Sequence, residues 1–437
     1  MASKDEPVES TLDTPAGEPT SVKPPMREAA IQERFGEDAS PYKIQTGALL
    51  EWYKRKQSVS YKEWVPKLAG LTLSTEFIDL LPSDLDALSN SRTVTASGQV
   101  EEKLKGLEEK IDAAISTLGS SGVSVRLNVA SPKDAAQSFD KLSPDEQDGV
   151  RLQVMNEIEL ERQMGTAADS RRRGTIVRRF QGPEIEGMER EEKLRRLPRS
   201  RLTHQAESEP HETFRAKEPV ENVALRALSR VLVERMQVRS GREALALLGK
   251  SSTIQYYLKQ IWNVNPSWDI EVVHVYLVIR EWFPVIPRHP EMHLRGFVYK
   301  NSLTALSQID DATFFPNLVK HKTSIQQRVE TFFQQSVSNK LLAFESYVID
   351  FFVGPEKLLV TRILPFHHST GACLFTWRDI ETSFKNEGDM PLKFRTVDHP
   401  NADCRELLPY MWENTMLMVV TELGKLSDEK ESGCVVL

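Results

Sequence analysis

Apolar residues recur with two different periods along this chain, and each period predicts a different kind of element. Over residues 100–118, Leu, Ile and Ala recur at helical spacing with Glu and Lys between them, which predicts an amphipathic helix. Residues 123–129 alternate between apolar and polar and predict a strand. The same criteria predict further helices over 223–239, over 323–337 and from Pro82, with Ser83 as a cap. These elements together predict an α+β protein.

The stretch from residue 275 to 377 is the richest in strand-like patterns. Its alternating and apolar runs predict several strands of one antiparallel or mixed sheet. The runs are 277–282, 293–298, 306–308, 347–351, 364–366 and 374–377. A shorter apolar run, 244–249, ends at Lys250. This lysine would stand at the end of a buried strand, or be a solvated lysine at the end of a strand or helix.

Length and composition narrow the class of protein. A chain of 437 residues is expected to form roughly two to three domains. The net charge of -7 does not predict a protein that binds nucleic acid over its whole surface. The three cysteines, Cys373, Cys404 and Cys434, are widely spaced and fit a reducing compartment. No secretory leader and no membrane-spanning run is apparent, so a cytoplasmic location is expected.

Two segments are poor in large apolar residues. Residues 1–40 are rich in Pro, Glu, Ser and Thr and are predicted to be a disordered tail. From Arg171 to Arg201, eleven Arg or Lys residues stand against five Glu, an excess of six positive charges. We interpret 171–220 as a flexible basic insertion. Its aromatic residues are few, so base stacking and a nucleic-acid partner are not expected.

Three charged residues within apolar runs are candidates for a binding site. Lys250 could place a point charge against phosphate oxygens. A Walker A motif is excluded, because Ala244 stands where its first glycine would be. Arg126 lies mid-strand, where it either points inward and needs an anionic partner or lies on the polar face. Asp350 follows two apolar residues and is either a Mg²⁺ ligand or a carboxylate that faces solvent or an arginine.

The last four residues, Cys434-Val435-Val436-Leu437, have the form of a prenylation signal, with the terminal leucine favouring geranylgeranyl. An unmodified cysteine is the alternative. The neighbouring residues supply no polybasic second signal, so a single lipid on Cys434 would give weak or reversible membrane association.

Five short motifs, in this order along the chain, resemble the eukaryotic cell division cycle protein 123 family. The first is Tyr61-Lys62-Glu63-Trp64 with the following 71–75 and 80–82. The others are 125–128 with 131–135, then 247–252, then 277–282 with 294–297 and 307–308, and finally 365–366 with 374–377. The resemblance covers most of the chain that is expected to be ordered.

The resemblance implies an ATP-grasp-like fold, with two lobes and a nucleotide cleft between them. The lobes would be residues 41–170 and 221–424, separated by the basic insertion 171–220 and followed by a tail, 425–437. It also implies an assembly chaperone that binds the gamma subunit of the trimeric factor delivering initiator tRNA. Carried over position by position, the family's nucleotide-contacting residues fall on Arg126, Lys250, Arg295 and Asp350, with Asp350 as the metal ligand.

This chain departs from the family at the metal ligands. Where the family has Asp-Phe-Asn-Pro-Phe, this chain has Arg362-Ile363-Leu364-Pro365-Phe366, so both oxygen ligands are missing and a cation replaces one of them. Mg²⁺ needs oxygen ligands, so weakened or lost Mg-ATP binding is expected, while Arg362 could neutralise phosphates directly. Two alternatives stay open: an ATP-dependent ligase or kinase of ATP-grasp type, and a prenylated peripheral membrane adaptor.

Overall fold

The computed structural model describes residues 46–89, 93, 100–119, 121–137, 143–171, 219–265, 273–385 and 392–400. The predicted tails 1–40 and 425–437 and nearly all of the predicted insertion 171–220 lie outside these residues. Cys434 lies outside them as well. No helix in the described part of the chain is both long and apolar enough to cross a membrane.

The strands of the described residues form two sheets. They are β1 Thr75–Asp79, β2 Val123–Leu127, β3 Gln237–Val238, β4 Tyr276–Glu281, β5 His293–Tyr299, β6 Ser302–Gln308, β7 Tyr347–Val353, β8 Leu358–Pro365 and β9 Lys393–Arg395. The first sheet has the order β1-β4-β2-β3 and the second the order β8-β7-β5-β6-β9. All neighbours are antiparallel except β6 and β9, which are parallel.

The prediction of one sheet over 275–377 is wrong, because β4 belongs to the first sheet. It lies between β1 and β2, with Val278 opposite both Phe77 and Arg126. The first sheet thus takes strands from both sides of the predicted insertion, which does not separate the two sheets. Residues 374–376 are also not a strand; they form the loop before a helix that starts at Trp377.

Helices cover both sheets. In chain order they are α1 Thr46–Gln57, α2 Tyr61–Trp64, α3 Pro82–Ser89, α4 Lys105–Leu118, α5 Lys133–Gln137, α6 Pro144–Arg171, α7 Val220–Glu234, α8 Gly241–Lys250, α9 Ser252–Val264, α10 Val285–Arg288, α11 Pro316–Lys320, α12 Lys322–Phe332 and α13 Trp377–Lys385. Short 3-10 turns occur at Pro66–Leu68, Glu102–Leu104, Pro290–Met292, Ser338–Lys340 and Leu342–Phe344, and α12 continues as a π-helix over Phe333–Val337. The mixture confirms the predicted α+β class.

Two details of the helix predictions differ from the structure. The run 244–249 is helical, within α8, so Lys250 ends a helix and not a strand. At the start of α3, the carboxylate of Asp84 accepts from the Leu81 backbone N–H at 2.9 Å, in place of the predicted Ser83 cap. The amphipathic helix predicted over 100–118 is confirmed as α4, whose buried residues are Leu107, Ile111 and Ala114.

The two faces of the first sheet have different partners. Val125, Leu127 and Ile279 belong to the core that the sheet forms with α4, α8 and α9. The alternate residues on the other face, which include Tyr276 and Val278, share a second core with residues of β5, β7 and β8. Because side chains alternate along a strand, Arg126 and Arg280 also lie on the face that is turned toward the second sheet.

Candidate functional site

A row of polar residues crosses the second sheet, one on each strand. The strand register places Arg395 opposite Ser307, Ser307 opposite Arg295, Arg295 opposite Asp350, and Asp350 opposite Arg362. Residues directly opposite one another in a sheet have neighbouring side chains. This polar row therefore brings Asp350 between two arginines.

Both oxygens of the Asp350 carboxylate accept hydrogen bonds from these arginines. Arg295 donates from Nε to Oδ1 at 2.8 Å and from Nη2 to Oδ2 at 2.9 Å. Arg362 donates from Nε to Oδ2 at 3.0 Å. Burial would raise the pKa of Asp350, but the charges and hydrogen bonds of Arg295 and Arg362 outweigh it and hold the pKa below its usual range. Asp350 is therefore an ionised, paired carboxylate at neutral pH.

The polar row also fixes the loop 371–376. Arg295 Nη1 donates to the Gly371 carbonyl at 2.7 Å, and the Leu374 N–H donates to Ser307 Oγ at 3.1 Å. Arg395 Nη1 donates to the Leu374 carbonyl at 3.0 Å. These bonds satisfy the backbone of a segment that pairs with no strand, and they account for the motif at 374–377 being a loop.

The residues around Asp350 do not fit Mg²⁺. This ion needs several oxygen ligands in near-octahedral geometry, whereas each oxygen of Asp350 already accepts from a guanidinium group. Within the described residues, no group of three or more His, Cys, Asp or Glu is arranged to hold a metal ion. A divalent cation would have to displace Arg362 and would gain one carboxylate.

Arg126 and Arg280 lie on the facing surface of the first sheet and flank one aromatic ring. The Arg126 guanidinium is 5.3 Å from the centre of the Tyr61 ring, and that of Arg280 is 5.9 Å from it. Arg280 is also 5.7 Å from the Trp64 ring. Such cation–π contacts give partial compensation for desolvating a guanidinium, but they leave its charge in place.

Arg280 links the two sheets. Its Nη2 donates to Thr72 Oγ1 at 2.7 Å, and its Nη1 donates to the carbonyl of Thr361 on β8. Thr72 Oγ1 in turn donates to the Val360 carbonyl at 2.6 Å. Burial, together with repulsion from Arg126 and Arg362, lowers the pKa of Arg280 to about 10, so this buried side chain is still charged at neutral pH.

A small pocket opens between the sheets beside Arg126. We call it the inter-sheet pocket; its lining is Lys56, Gln57, Val59, Ser60, Tyr61, Arg126, Asn128, Tyr276, Ile363, Leu364 and Pro365. Its volume is about 20 Å³, which is room for about one water molecule. The pocket does not enclose a whole nucleotide.

Lys250 lies apart from the other predicted site residues. It is exposed at the end of α8, and α8 packs on the face of the first sheet opposite to Arg126. The preceding Gly249 has a packing role, because a Cβ added to it would lie 2.1 Å from Thr93 Oγ1. Of the four residues carried over from the family, the structure joins Arg295 to Asp350, places Arg126 across the sheet interface, and separates Lys250.

Two of the motifs meet in a helix cap. Ser251 Oγ accepts from the Ile254 N–H at 3.1 Å at the start of α9. Asp134, from the motif at 131–135, accepts from Ser252 Oγ at 2.9 Å and from the Thr253 N–H at 3.3 Å, and it also pairs with Ser251. A carboxylate at a helix N-terminus stabilises the helix, so these motifs have a structural function here.

Arg280 is a charged residue of this interface that sequence reasoning missed. An arginine within the apolar run Leu277-Val278-Ile279-Arg280 was available as a signal, since a charged residue on a buried strand needs a partner. The pattern alone does not show that the partners are the Thr361 carbonyl on the second sheet and the Thr72 hydroxyl in the segment before β1.

Comparison with known proteins finds a family model that matches part of this chain. The family model D123 matches residues 231–414. The match includes Lys250, Arg280, Arg295, Asp350 and Arg362, but not Arg126.

Relatives and solved structures match different shares of the chain. The "Translation initiation factor eIF2 assembly protein" of Dictyostelium discoideum is 31% identical over 138 residues, 31% of this chain and 34% of the relative. That of Xenopus laevis is 29% identical over 129 residues, 29% of this chain and 35% of the relative. The chain thus spans about a third of the length of the curated relatives it matches. The "Structure of Cdc123 from Schizosaccharomyces pombe" aligns at 16% identity and a TM-score of 0.46, covering 78% of this chain and 96% of that one.

Proposed function

We propose that this chain, whose residues 231–414 match the family model D123, is an assembly chaperone for the trimeric translation initiation factor eIF2 and that it binds the gamma subunit of that factor. The observation that carries the proposal is the similarity to the relatives named as eIF2 assembly proteins, 31% identical over 138 residues in one case. An assembly chaperone acts through binding and forms no covalent product, so it needs no catalytic residues.

The proposal includes weakened or lost binding of Mg-ATP. The support is the pairing of Asp350 with Arg295 and Arg362 at 2.8 and 3.0 Å, which leaves the carboxylate no vacant oxygen for a metal ion. The same pairing weighs against the ATP-dependent ligase or kinase, because phosphoryl transfer with ATP relies on divalent cations to neutralise the developing charge.

The test is affinity purification of the tagged full-length chain from cells of its own source, followed by identification of the bound proteins. We expect eIF2 subunits to be enriched over a tag-only control. Recovery of other proteins without any eIF2 subunit, in repeated purifications, would contradict the proposed role.

A second experiment addresses the gamma subunit. Each of the three eIF2 subunits is expressed alone, and its binding to the purified chain is measured by calorimetry. We expect binding by the gamma subunit and none by the other two. Binding confined to another subunit would keep the family role and correct the partner.

A further inference from the structure

The strand β1 forms one edge of the first sheet, whose strand order is β1-β4-β2-β3. It pairs with β4 over five consecutive residues without a shift in register. Its sequence, Thr75-Glu76-Phe77-Ile78-Asp79, contains two carboxylates but no proline and no lysine. Bulges, prolines and lysines are the common protection of a sheet edge against another strand. Since β1 has none of them, its edge can accept a further strand.

The other edge strands of the two sheets are shorter or covered. The strands β3 and β9 have two and three residues. The outer edge of β8 is covered at its centre, because the Val360 N–H donates to the Leu71 carbonyl at 2.8 Å and the Thr72 hydroxyl donates to the Val360 carbonyl at 2.6 Å. Among the described residues, β1 is therefore the longest edge strand without such a cover.

Hydrogen bonds at the two ends of β1 show which of its backbone groups face β4. The Glu281 N–H donates to the Ser74 carbonyl at 2.9 Å, and the Leu80 N–H donates to the Val275 carbonyl at 3.4 Å. Hydrogen-bonded pairs in an antiparallel ladder recur at every second residue. The even-numbered residues of β1 therefore direct their N–H and C=O groups toward β4, and the odd-numbered residues direct theirs out of the open edge.

The outward-facing residues are Thr75, Phe77 and Asp79. Thr75 and Phe77 are half-buried and Asp79 is exposed. Their three N–H and three C=O groups have no hydrogen-bond partner within the part of the chain that the structure describes. An open edge of this kind is a template for an added strand, which gains its affinity from backbone hydrogen bonds.

A second copy of β1 would satisfy all of these backbone groups at once. If two copies pair antiparallel about a two-fold axis at Phe77, each Phe77 lies opposite the other, and Thr75 of each copy lies opposite Asp79 of the other. These are the outward-facing residues, so each copy uses its three free N–H and three free C=O groups. The edge of β1 is therefore self-complementary, as an interface with two-fold symmetry must be.

The side chains fit the same register. Glu76 lies opposite Ile78 of the second copy, and Asp79, which is paired with Lys62 in its own chain, lies opposite Thr75, so no two carboxylates face each other. The two Phe77 rings become a cross-strand aromatic pair, which is favourable. Each ring already packs edge-on against Tyr276 of its own chain, with 5.8 Å between ring centres.

Neighbouring registers fit less well. A shift of two residues in one direction would set Glu76 opposite Glu76 of the second copy, and like charges directly opposite are destabilising. The same shift in the other direction would set Thr75 opposite Leu81, whose N–H already donates to Asp84 at 2.9 Å. The register centred on Phe77 is thus the one that pairs every free group without repulsion.

We propose that β1 is a self-association surface, through which two copies of this chain form a symmetric dimer centred on Phe77. The pairing joins two four-stranded sheets into one continuous sheet. Two strands of five residues form a smaller contact than the usual stable interface, so the dimer is weak and depends on concentration. This inference is independent of the proposed function, because it requires only a second copy of this chain.

The first experiment is sedimentation equilibrium of the purified full-length chain under reducing conditions, at concentrations from about 1 to about 200 µM, where weak interfaces associate. We expect the mean mass to rise from 49.7 kDa toward twice that value. A mass that stays at the monomer value throughout would overturn the proposal.

Hydrogen exchange in the native chain shows whether β1 is the interface. At the highest concentration we expect three further amides to become protected in peptides that cover β1, those of Thr75, Phe77 and Asp79. Peptides that cover β3, at the opposite edge of the same sheet, are the control and should not change. A rise in mass with protection elsewhere would overturn the assignment to β1, and protection of β1 without a rise in mass would overturn the dimer.

Cysteine variants test the register. Phe77→Cys places two cysteines in a hydrogen-bonded pair with Cα atoms about 5.5 Å apart, within the range that a disulfide spans. In Glu76→Cys, the matched control, the two cysteines are diagonal neighbours with Cα atoms about 7–8 Å apart, beyond that range. We expect the first variant to form intermolecular disulfides about tenfold faster or more on mild oxidation, and equal rates would overturn the register. The native chain measures the background of its own three cysteines.

A second pair of positions serves if Phe77→Cys does not fold. The double variant Thr75→Cys with Asp79→Cys keeps the aromatic ring and places cysteines in the two outer hydrogen-bonded pairs of the same register. We expect it to be cross-linked as fast as Phe77→Cys. If the double variant is cross-linked no faster than Glu76→Cys, the pairing about Phe77 is overturned.

Discussion

The two facing surfaces of the sheets both carry buried arginines, but they balance the charge differently. On the second sheet, Arg295 and Arg362 share the carboxylate of Asp350. On the first sheet, Arg280 is held by hydroxyl and carbonyl groups, and Arg126 by one carbonyl and an aromatic ring. The second surface is thus partly neutralised within the chain, while Arg126 and Arg280 on the first keep their positive charges.

This difference shows that strand register, and not residue type, decides what a buried arginine does. All four arginines stand in apolar strands. Arg295 and Arg362 have Asp350 directly opposite them, whereas Arg126 and Arg280 have Val278 and Ser124 opposite them. A structural ion pair is the outcome in the first case, and arginines held by carbonyl, hydroxyl and aromatic groups are the outcome in the second.

The largest effect is expected when the second sheet loses the carboxylate of Asp350. Asp350→Ala leaves Arg295 buried beside Arg362 with no counter-ion, and breaking a buried ion pair in this way costs about 3–5 kcal/mol. The free energy of unfolding, measured by urea titration, gives the cost. Glu51→Ala is the control, since it breaks the exposed pair with Lys54 and should cost at most about 1 kcal/mol. Similar costs for the two variants would show that the ion pairs of Asp350 do not stabilise the fold.

The same carboxylate predicts a dependence of stability on pH. Its pKa is lower in the folded chain than in the unfolded chain, so its stabilising contribution is complete above the unfolded value of about 3.9. The contribution is lost as the pH falls below that value and through the folded pKa. The free energy of unfolding should therefore fall more steeply in this range for the native chain than for Asp350→Asn. If the free energies of unfolding of the two proteins fell in parallel with pH, a lowered pKa of Asp350 in the folded chain would be contradicted.

Removing the link from the first sheet is expected to have a smaller effect. Arg280→Met keeps much of the side-chain volume but leaves Thr72 Oγ1 and the Thr361 carbonyl without their donors. Unsatisfied buried acceptors cost about 1–3 kcal/mol each at most, and relaxation reduces the sum, so we expect a loss of about 2–3 kcal/mol in urea unfolding. The control is Arg328→Met on α12, whose bonds go to the carbonyls of Gly354 and Pro355 and do not join the two sheets. If the control loses as much stability, the hydrogen bonds that join the two sheets stabilise the fold no more than bonds that do not join them.

The sequence predicted correctly the elements whose pattern is local. The prediction failed where pairing with a distant strand decides the structure. The helix α4 and the strand β2 follow from apolar periodicity within a dozen residues, and both are confirmed. The assignment of β4 to a sheet depends on pairing with β1, which lies about two hundred positions earlier, and periodicity carries no information on pairing. The run 244–249 is too short for its period to separate a buried strand from a buried helix.

For the candidate site as well, the sequence left alternatives between which only the pairing of distant strands could decide. The sequence left open whether Asp350 binds a metal ion or an arginine, and only the register shows Arg295 and Arg362 opposite it. It also left open whether Arg126 points inward. Of the two interpretations of Lys250, the structure agrees with the solvated lysine at the end of a helix, and α8 puts it on the far side of the first sheet. Whether any of these residues contacts a nucleotide stays a prediction.

The smallest expected effect is that of Mg²⁺ on the chain itself. The second sheet offers no vacant carboxylate oxygen at Asp350, and the first sheet presents cations. A ligand that binds only the folded state stabilises it by RT ln(1 + [L]/Kd), so an ion without a site leaves the melting temperature unchanged. We expect the melting temperatures in millimolar Mg²⁺ and in EDTA at equal ionic strength to agree within error. A saturable rise with Mg²⁺ that disappears in Asp350→Asn would mean that the ion displaces Arg362, and the two surfaces would then differ less than their hydrogen bonds indicate.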